Sequence, residues 1–161
     1  MRSIYLTSSS TGEIAARLNE VGARPAPRDE AITLATRNDT VNRINAAELA
    51  KLPGRALTAR AEITGDFGGR AFPADESLEL KVGARVMCLR NDPDQRWVNG
   101  TVGTVSKIST TVYVEVDGET HKVEPAVWEK YKYSYSAATK QLTRDIVAEF
   151  TQFPVRLAWA V

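Results

Sequence analysis

The sequence predicts an α+β protein, and three observations carry that prediction. Residues 13–54 read as helix, strand and helix, with apolar side chains first at helical spacing, then in a short run, then at helical spacing again. From Leu57 onward the apolar runs shorten and are separated by Gly, Asn, Asp and Pro. Asp117-Gly118, between two such runs, has the chemistry of a two-residue hairpin turn because both positions accept a positive φ.

Each element follows in order. Ser10-Thr11-Gly12-Glu13 has the pattern of a capping box: Ser10 accepts from the first free amides and Glu13 reaches back. Ile14, Leu18 and Val21 follow at helical spacing, and Gly22 is a natural stop. Residues 24–29 form a Pro-containing connector. Residues 31–36, AITLAT, predict a short buried strand. Asn38 or Asp39 then caps a second helix with an apolar stripe of Val41, Ile44, Leu49 and Leu52, ended by Pro53-Gly54.

Residues 57–63 are a candidate strand, and the Gly- and acid-rich residues 64–75 predict a mobile loop. Strands are expected over residues 84–90, 101–108 and 111–117, with a further strand over Glu119–Val123 after the Asp117-Gly118 turn. Short strands at this spacing suggest a small SH3-like barrel. Tyr131, Tyr133 and Tyr135 alternate with Lys130, Lys132 and Ser134, which predicts a half-buried strand with tyrosines inward and lysines in water. The alternative is an aromatic and basic nucleic-acid surface. Leu142, Ile146, Ala148 and Phe150 suggest the returning arm of this second hairpin, although Ile146-Val147 blurs the alternation. After Pro154, residues 155–161 fit either a helix or an extended segment.

Composition narrows the function classes. The chain has 161 residues, 43% hydrophobic and 25% charged, with a net charge of +1, so it carries no overall polyanion-binding signature. Charge is uneven: residues 1–60 hold nine basic and six acidic side chains, and residues 61–80 hold one and five. The single cysteine, Cys88, lies in an apolar run and reads as a small buried hydrophobe, which suits a reducing cytosol. One cysteine and one histidine, His121, argue against a structural zinc, which takes about four ligands. No apolar run approaches the roughly 20 residues of a membrane span, so the reading is a cytoplasmic chain with no membrane partner. No G-x-x-x-x-G-K-[ST] loop and no nucleophile–base arrangement is present, so no catalytic residue and no metal ligand is assigned.

The sharpest local signal is Val98-Asn99-Gly100-Thr101-Val102-Gly103. Asn99-Gly100 allows a tight turn with exposed amides, and Gly103 allows close approach to the next strand. Arg90, Asn91, Arg96 and Trp97 precede the turn. Amides, an arginine and a ring suit a phosphate or an unstacked base. The plainer reading is a turn between barrel strands with a core tryptophan. Lys107, His121 and Lys122 are candidate barrel-surface contacts, against the plainer reading of solvated surface side chains. Arg37 follows the 31–36 run where an α/β motor could place a charge near phosphate, the plainer reading being a surface arginine before a helix cap.

Three stretches together resemble the Pif-type and RecD-type superfamily-one DNA helicases, subgroup 1B. They are ITLATRNDTVNRIN with Leu52-Pro53-Gly54, then LKVGARVMCLRNDPDQRWVNGTVGTV, then FTQFPVRLAWAV, which in such proteins runs into T-x-H-K-S-Q-G. The resemblance covers residues 13–161; the first 12 residues match nothing recognisable. It implies a fragment of a second motor lobe: a partial RecA-like α/β segment with an inserted SH3-like β-barrel. Residues 1–56 would be the start of the lobe, 57–150 the strand-rich insertion and 151–161 the return to the lobe.

In this family two lobes close on ATP and magnesium and step 5′-to-3′ along single-stranded DNA. The resemblance therefore implies single-stranded DNA and the first helicase lobe as partners, ATP and magnesium in the longer parent, and no cofactor or ATPase activity in this stretch. The candidate DNA contacts are Arg90, Asn91, Arg96, Trp97, Asn99, Gly100, Lys107 and Lys122, and Thr36 and Arg37 are nucleotide-proximal candidates. Two other classes fit the barrel: an elongation-factor-like nucleic-acid module, and an SH3-like protein-interaction module using Trp97, Trp128 and the tyrosines.

Overall fold

The computed structural model describes residues 11–22, 31–67, 72–136 and 140–161. The chain divides into two units, Met1–Ala31 and Ile32–Val161. In the first, helix α1 (Thr11–Gly22) forms as the spacing predicts, with Glu13 in the first turn where the helix dipole favours an acid. Ser10, the expected cap, and the 24–29 connector lie outside the described residues.

The second unit begins with a departure from expectation. Residues 31–36 do not form a buried strand. Only Thr33 pairs, in a parallel bridge with Ala160, and Leu34 is 83% exposed. The Thr33 and Ala35 amides donate to the Trp159 and Val161 carbonyls, and among the described residues no second strand flanks the segment. Helix α2 (Asn38–Lys51) follows. Its N-cap is Arg37 rather than Asn38 or Asp39, and no side chain caps it. Asn38 and Asp39 already sit inside the first turn, where the Asp39 carboxylate meets Arg37 at 2.7 Å. The buried stripe is Val41, Asn45 and Leu49, spaced four apart, and Ile44 is only half-buried. The helix stops at Leu52 (ψ 137°) because the residue before a proline is barred from the helical region.

The expected strand over residues 57–63 is two strands in two different sheets. Strand β1 (Leu57–Arg60) pairs with β3 (Ser77–Leu80), and β2 (Glu62–Gly65) pairs with β9 (Gln141–Gln152). The break is at Ala61, whose amide donates to the Glu76 carbonyl. Sequence reading missed β3, although Leu78 and Leu80 alternate with acid and serine and are both buried. The remaining strands fall close to prediction: β4 (Arg85–Cys88), β5 (Val102–Ile108), β6 (Val112–Val116), β7 (Glu119–Val123) and β8 (Ala126–Ser136). After Pro154 the chain is extended, as β10 (Val155–Leu157).

The fold is therefore α+β with most of its mass in strands. A five-stranded antiparallel sheet runs β10-β4-β5-β6-β7, and β2-β9-β8 form a second sheet. Among the described residues no ladder joins β10 to β7, so by pairing the five strands are an open sheet rather than a closed ring. Its inner face makes the core: Val86, Cys88, Val105, Val112, Val114 and Val155 pack with Leu78, Leu80 and, from α2, Leu49. Phe67, Phe72, Trp128 and Phe150 form a separate aromatic cluster at the base of the β8–β9 hairpin.

Three local devices set register. Asp117 and Gly118 both take positive φ, 51° and 84°, as a tight hairpin requires. Val147 is the extra residue of a β-bulge, since Lys130 pairs Ala148 while Tyr131 pairs Ile146, which is why Ile146-Val147 blurred the alternation. Gly103 lets β6 lie close on β5: a Cβ there would stand 2.5 Å from the Glu115 carbonyl oxygen and 2.6 Å from Val114 Cγ1. Replacing Gly103 with alanine should therefore lower the urea unfolding midpoint, by about 1–3 kcal/mol of stability, with an unchanged m-value.

Candidate nucleic-acid interface

Residues 89–101 connect β4 to β5, and Asp92 organises them. Its side chain is 2% exposed. Arg96 donates to it twice, Nε to Oδ2 at 2.7 Å and Nη2 to Oδ1 at 2.6 Å. The amides of Asp94 and Arg96 donate to the same Oδ2 at 3.0 and 3.2 Å. The Arg96 hydrogen bond holds the Asp92 carboxyl below the usual range, against the opposing effect of burial. Sequence reading passed over Asp92; the available signal was the Asp–Arg pair four residues apart in a Pro-containing turn.

Arg96 also lies over the Trp97 ring at 4.7 Å, and His121 approaches that ring at 5.8 Å. Trp97 is 7% exposed and belongs to the core, so its ring is covered rather than presented to a base. The amides expected to be exposed at the Asn99-Gly100 turn are already engaged. Val98 donates to Thr101 Oγ1 at 3.1 Å, Asn99 to Asn91 Oδ1 at 2.8 Å, Gly100 to the Cys88 carbonyl at 2.8 Å and Thr101 to the Val98 carbonyl at 3.1 Å. A chain hydrogen-bonded this way offers a shape and side chains, not free donors. At Gly100 (φ 91°) nothing stands within 4 Å of where a Cβ would be, so this stretch of backbone is open to close approach.

Arg90, Asn91, Arg96, Trp97 and Lys122 line one groove of about 470 Å³. Three acids, Asp92, Asp94 and Glu124, line it too and balance its three cations. Arg90 donates to the Val127 carbonyl at 2.8 Å and lies 5.9 Å from the Trp128 ring centre, tying the loop to β8. Lys122 pairs with Glu124, which raises the ammonium pKa and lowers the carboxyl. Burial pushes the Cys88 thiol up to about 11, with Asp92 adding to the effect, so this cysteine is an inert core group.

Lys107 lies away from the groove but not from Lys122. In register, Lys107 pairs Tyr113 and Tyr113 pairs Lys122, so the three form one row across β5, β6 and β7. The Lys107 ammonium is 5.5 Å from the Tyr113 ring centre. This row is half-buried at Tyr113 and exposed at both lysines. Thr36 and Arg37 are exposed at the entry to α2, with Arg37 ion-paired to Asp39. Among the described residues no three His, Cys, Asp or Glu side chains cluster as a metal site, and no helix is long and apolar enough to cross a membrane.

The five-stranded sheet, the hydrogen-bonded β4–β5 loop and the Lys107–Tyr113–Lys122 row together define an antiparallel, strand-rich unit with a charge-balanced groove. Residues 70–108 match the family model described as DNA helicase Pif1, 2B domain. The chain is 37% identical over 91 residues to the ATP-dependent DNA helicase Pif1 of Bdellovibrio bacteriovorus, covering 56% of this chain and 19% of that protein. It is 27% identical over 140 residues to the Campylobacter jejuni Pif1 helicase, covering 77% and 31%. The chain thus spans well under half the length of the curated relatives it matches.

Among solved structures it is similar to unliganded Pif1 from Bacteroides sp, with a TM-score of 0.80 and 29% identity, over 94% of this chain and 36% of that one. It is also similar to Bacteroides Pif1 bound to single-stranded DNA, with a TM-score of 0.74 and 29% identity, over 91% and 35%. Sequence and fold agree in their likeness to part of the Pif1 helicases.

Proposed function

We propose that this chain serves as part of the second motor lobe of an ATP-dependent 5′-to-3′ DNA helicase and that its strand-rich insertion touches the single strand being translocated. The observation that carries the reading is the likeness over 91% of the chain to a Pif1 helicase bound to single-stranded DNA. The parallel contact of Thr33 with Ala160 supports assigning residues 1–56 and 151–161 to the lobe and 57–150 to the insertion, because the two segments meet in space. ATP and magnesium are held elsewhere in such a helicase, partly by its first lobe, so this chain alone should not hydrolyse ATP. Thr36 and Arg37, at the exposed entry to α2, are the nucleotide-proximal candidates.

The DNA-facing surface is the row Lys107–Tyr113–Lys122 together with Asn91, Asn99 and Gly100. Two cations flanking a ring match a strand that alternates phosphate and base. Arg96 and Trp97 act through the loop: they and Asp92 hold the turn in place, and Arg90 fixes the loop to β8. Binding of a fluorescein-labelled dT oligomer by anisotropy tests this. The Lys107→Ala/Lys122→Ala double variant should weaken binding and flatten the salt dependence by about 0.7 in log K per log salt for each lysine lost. Unchanged affinity and slope would remove this row from the DNA path.

A further inference from the structure

The β8–β9 hairpin carries an apolar face that the fold does not use. Tyr131, Tyr133 and Tyr135 stand opposite Ile146, Arg144 and Leu142, so these side chains share one face of the ribbon. The tyrosines do not turn inward as the alternation suggested. Tyr133 and Tyr135 are 60% and 66% exposed, Leu142 67% and Ile146 51%. The reason is the ribbon's reach: the hairpin's aromatic packing is at its base, where Trp128 meets Phe150, and beyond the Val147 bulge the face has no apolar partner among the described residues. An exposed face of rings and aliphatic side chains, interrupted by Arg144, marks an interaction site.

Charge indicates which kind. Residues 129–145 hold four basic side chains, Lys130, Lys132, Lys140 and Arg144, against two acids, Glu129 and Asp145, a net of +2. Arg144 shares the tyrosine face, as does Glu129, which accepts from the Tyr131 hydroxyl, while Lys130 and Lys132 lie on the reverse of the same thin ribbon. The Arg144 guanidinium lies 4.5 Å from the Tyr131 ring centre, and the Tyr131 and Tyr133 ring centres are 6.5 Å apart. Rings in file on a cationic scaffold suit a polyanion with flat, unpaired bases. An apolar protein partner would use the rings but gain nothing from the charge.

We infer that this ribbon face is a second stacking platform for single-stranded nucleic acid, separate from the Lys107–Tyr113–Lys122 row, with Tyr133 and Tyr135 taking bases and Arg144 a phosphate. It rests on the proposed function in that the ligand is the same strand. The test uses the whole chain with a fluorescein-labelled dT oligomer and an abasic oligomer of equal length. The Tyr133→Ala/Tyr135→Ala variant should bind dT roughly tenfold or more weakly, while Tyr133→Phe/Tyr135→Phe, which keeps the rings, should bind as the parent does. The parent should prefer dT to the abasic oligomer, and the alanine pair should lose that preference.

Parent-like dT affinity in the alanine pair overturns the inference, as does equal binding of the two oligomers, or no binding by the parent at low salt. A change from dimer to monomer in the alanine pair, with dT affinity unchanged, assigns the face to a second copy and also overturns it. If the lysine-row variant loses binding while the tyrosine variant keeps it, the ribbon inference fails and the sheet reading stands. The opposite result removes the sheet row and leaves the ribbon.

Discussion

Replacing Asn45 with leucine should destabilise the chain by on the order of 3 kcal/mol, more than any other single change considered. Asn45 is 6% exposed on the buried face of α2. Its Oδ1 accepts from the Trp159 and Ala160 amides at 3.1 and 2.8 Å. Its Nδ2 donates to the Ala160 and Leu157 carbonyls at 3.0 and 3.3 Å. Leucine keeps the branching at Cγ and none of the bonding, so four backbone groups lose their partner where water has little access. The urea midpoint should fall accordingly, and the Ala160 amide should lose protection in native-state hydrogen exchange before the sheet core does. A midpoint within a few tenths of a molar of the parent would mean that the 157–160 segment is held by β10 pairing instead.

Removing the Asp92 carboxylate should have the next largest effect. In Asp92→Ala, Arg96 and the amides of Asp94 and Arg96 lose a shared acceptor. Because Arg96 is itself 34% exposed, water compensates part of the loss, and about 2 kcal/mol is expected. Acid should reveal the same group. The folded-state pKa of Asp92 is depressed, chiefly by the Arg96 hydrogen bond. Its contribution is therefore fully present above the unfolded carboxylate value, about 3.9, and is lost as pH falls through the lower folded value. Stability of the parent should drop in that window. The uncharged isostere Asp92→Asn should start lower at neutral pH and fall less steeply on acidification. Parallel pH profiles for the two proteins would show that the ion pair contributes nothing across folding.

These two residues also show where sequence reasoning reached and where it stopped. The Asp117-Gly118 turn was legible, and it fixes the β6–β7 register: a two-residue loop that pairs Val116 with Glu119 must pair Tyr113 with Lys122. Adding Lys107 to that row depends on an irregularity between Val105 and Lys107, which no residue pattern announces. The aromatic alternation after Lys130 gave the strand but the wrong side for the tyrosines, because alternation assigns faces and tertiary packing decides which face is covered. Asn45 reads as a polar residue on a helix, and its partners lie 112 to 115 positions away in sequence. The 31–36 run was apolar enough for a buried strand, but hydrophobicity cannot supply the neighbouring strands that burial needs.

The glycine-turn signal was informative for a different reason than chemistry alone suggests. Its amides are spent on Asn91, Cys88, Val98 and Thr101, so the motif builds a rigid, open turn. The resemblance to Pif-type helicases is carried by the same residues, and the turn falls within the stretch, 70–108, that matches the Pif1 2B-domain model.

The central claim is that a single strand of DNA runs along the β4–β5 turn and the Lys107–Tyr113–Lys122 row. The most direct test is an amide chemical-shift titration of the isotope-labelled chain with a dT oligomer at low salt. The account predicts saturable shifts at Asn91, at Val98 through Thr101, and at Lys107, Tyr113 and Lys122, all reduced by added salt. Saturating DNA that leaves those amides in place would contradict it.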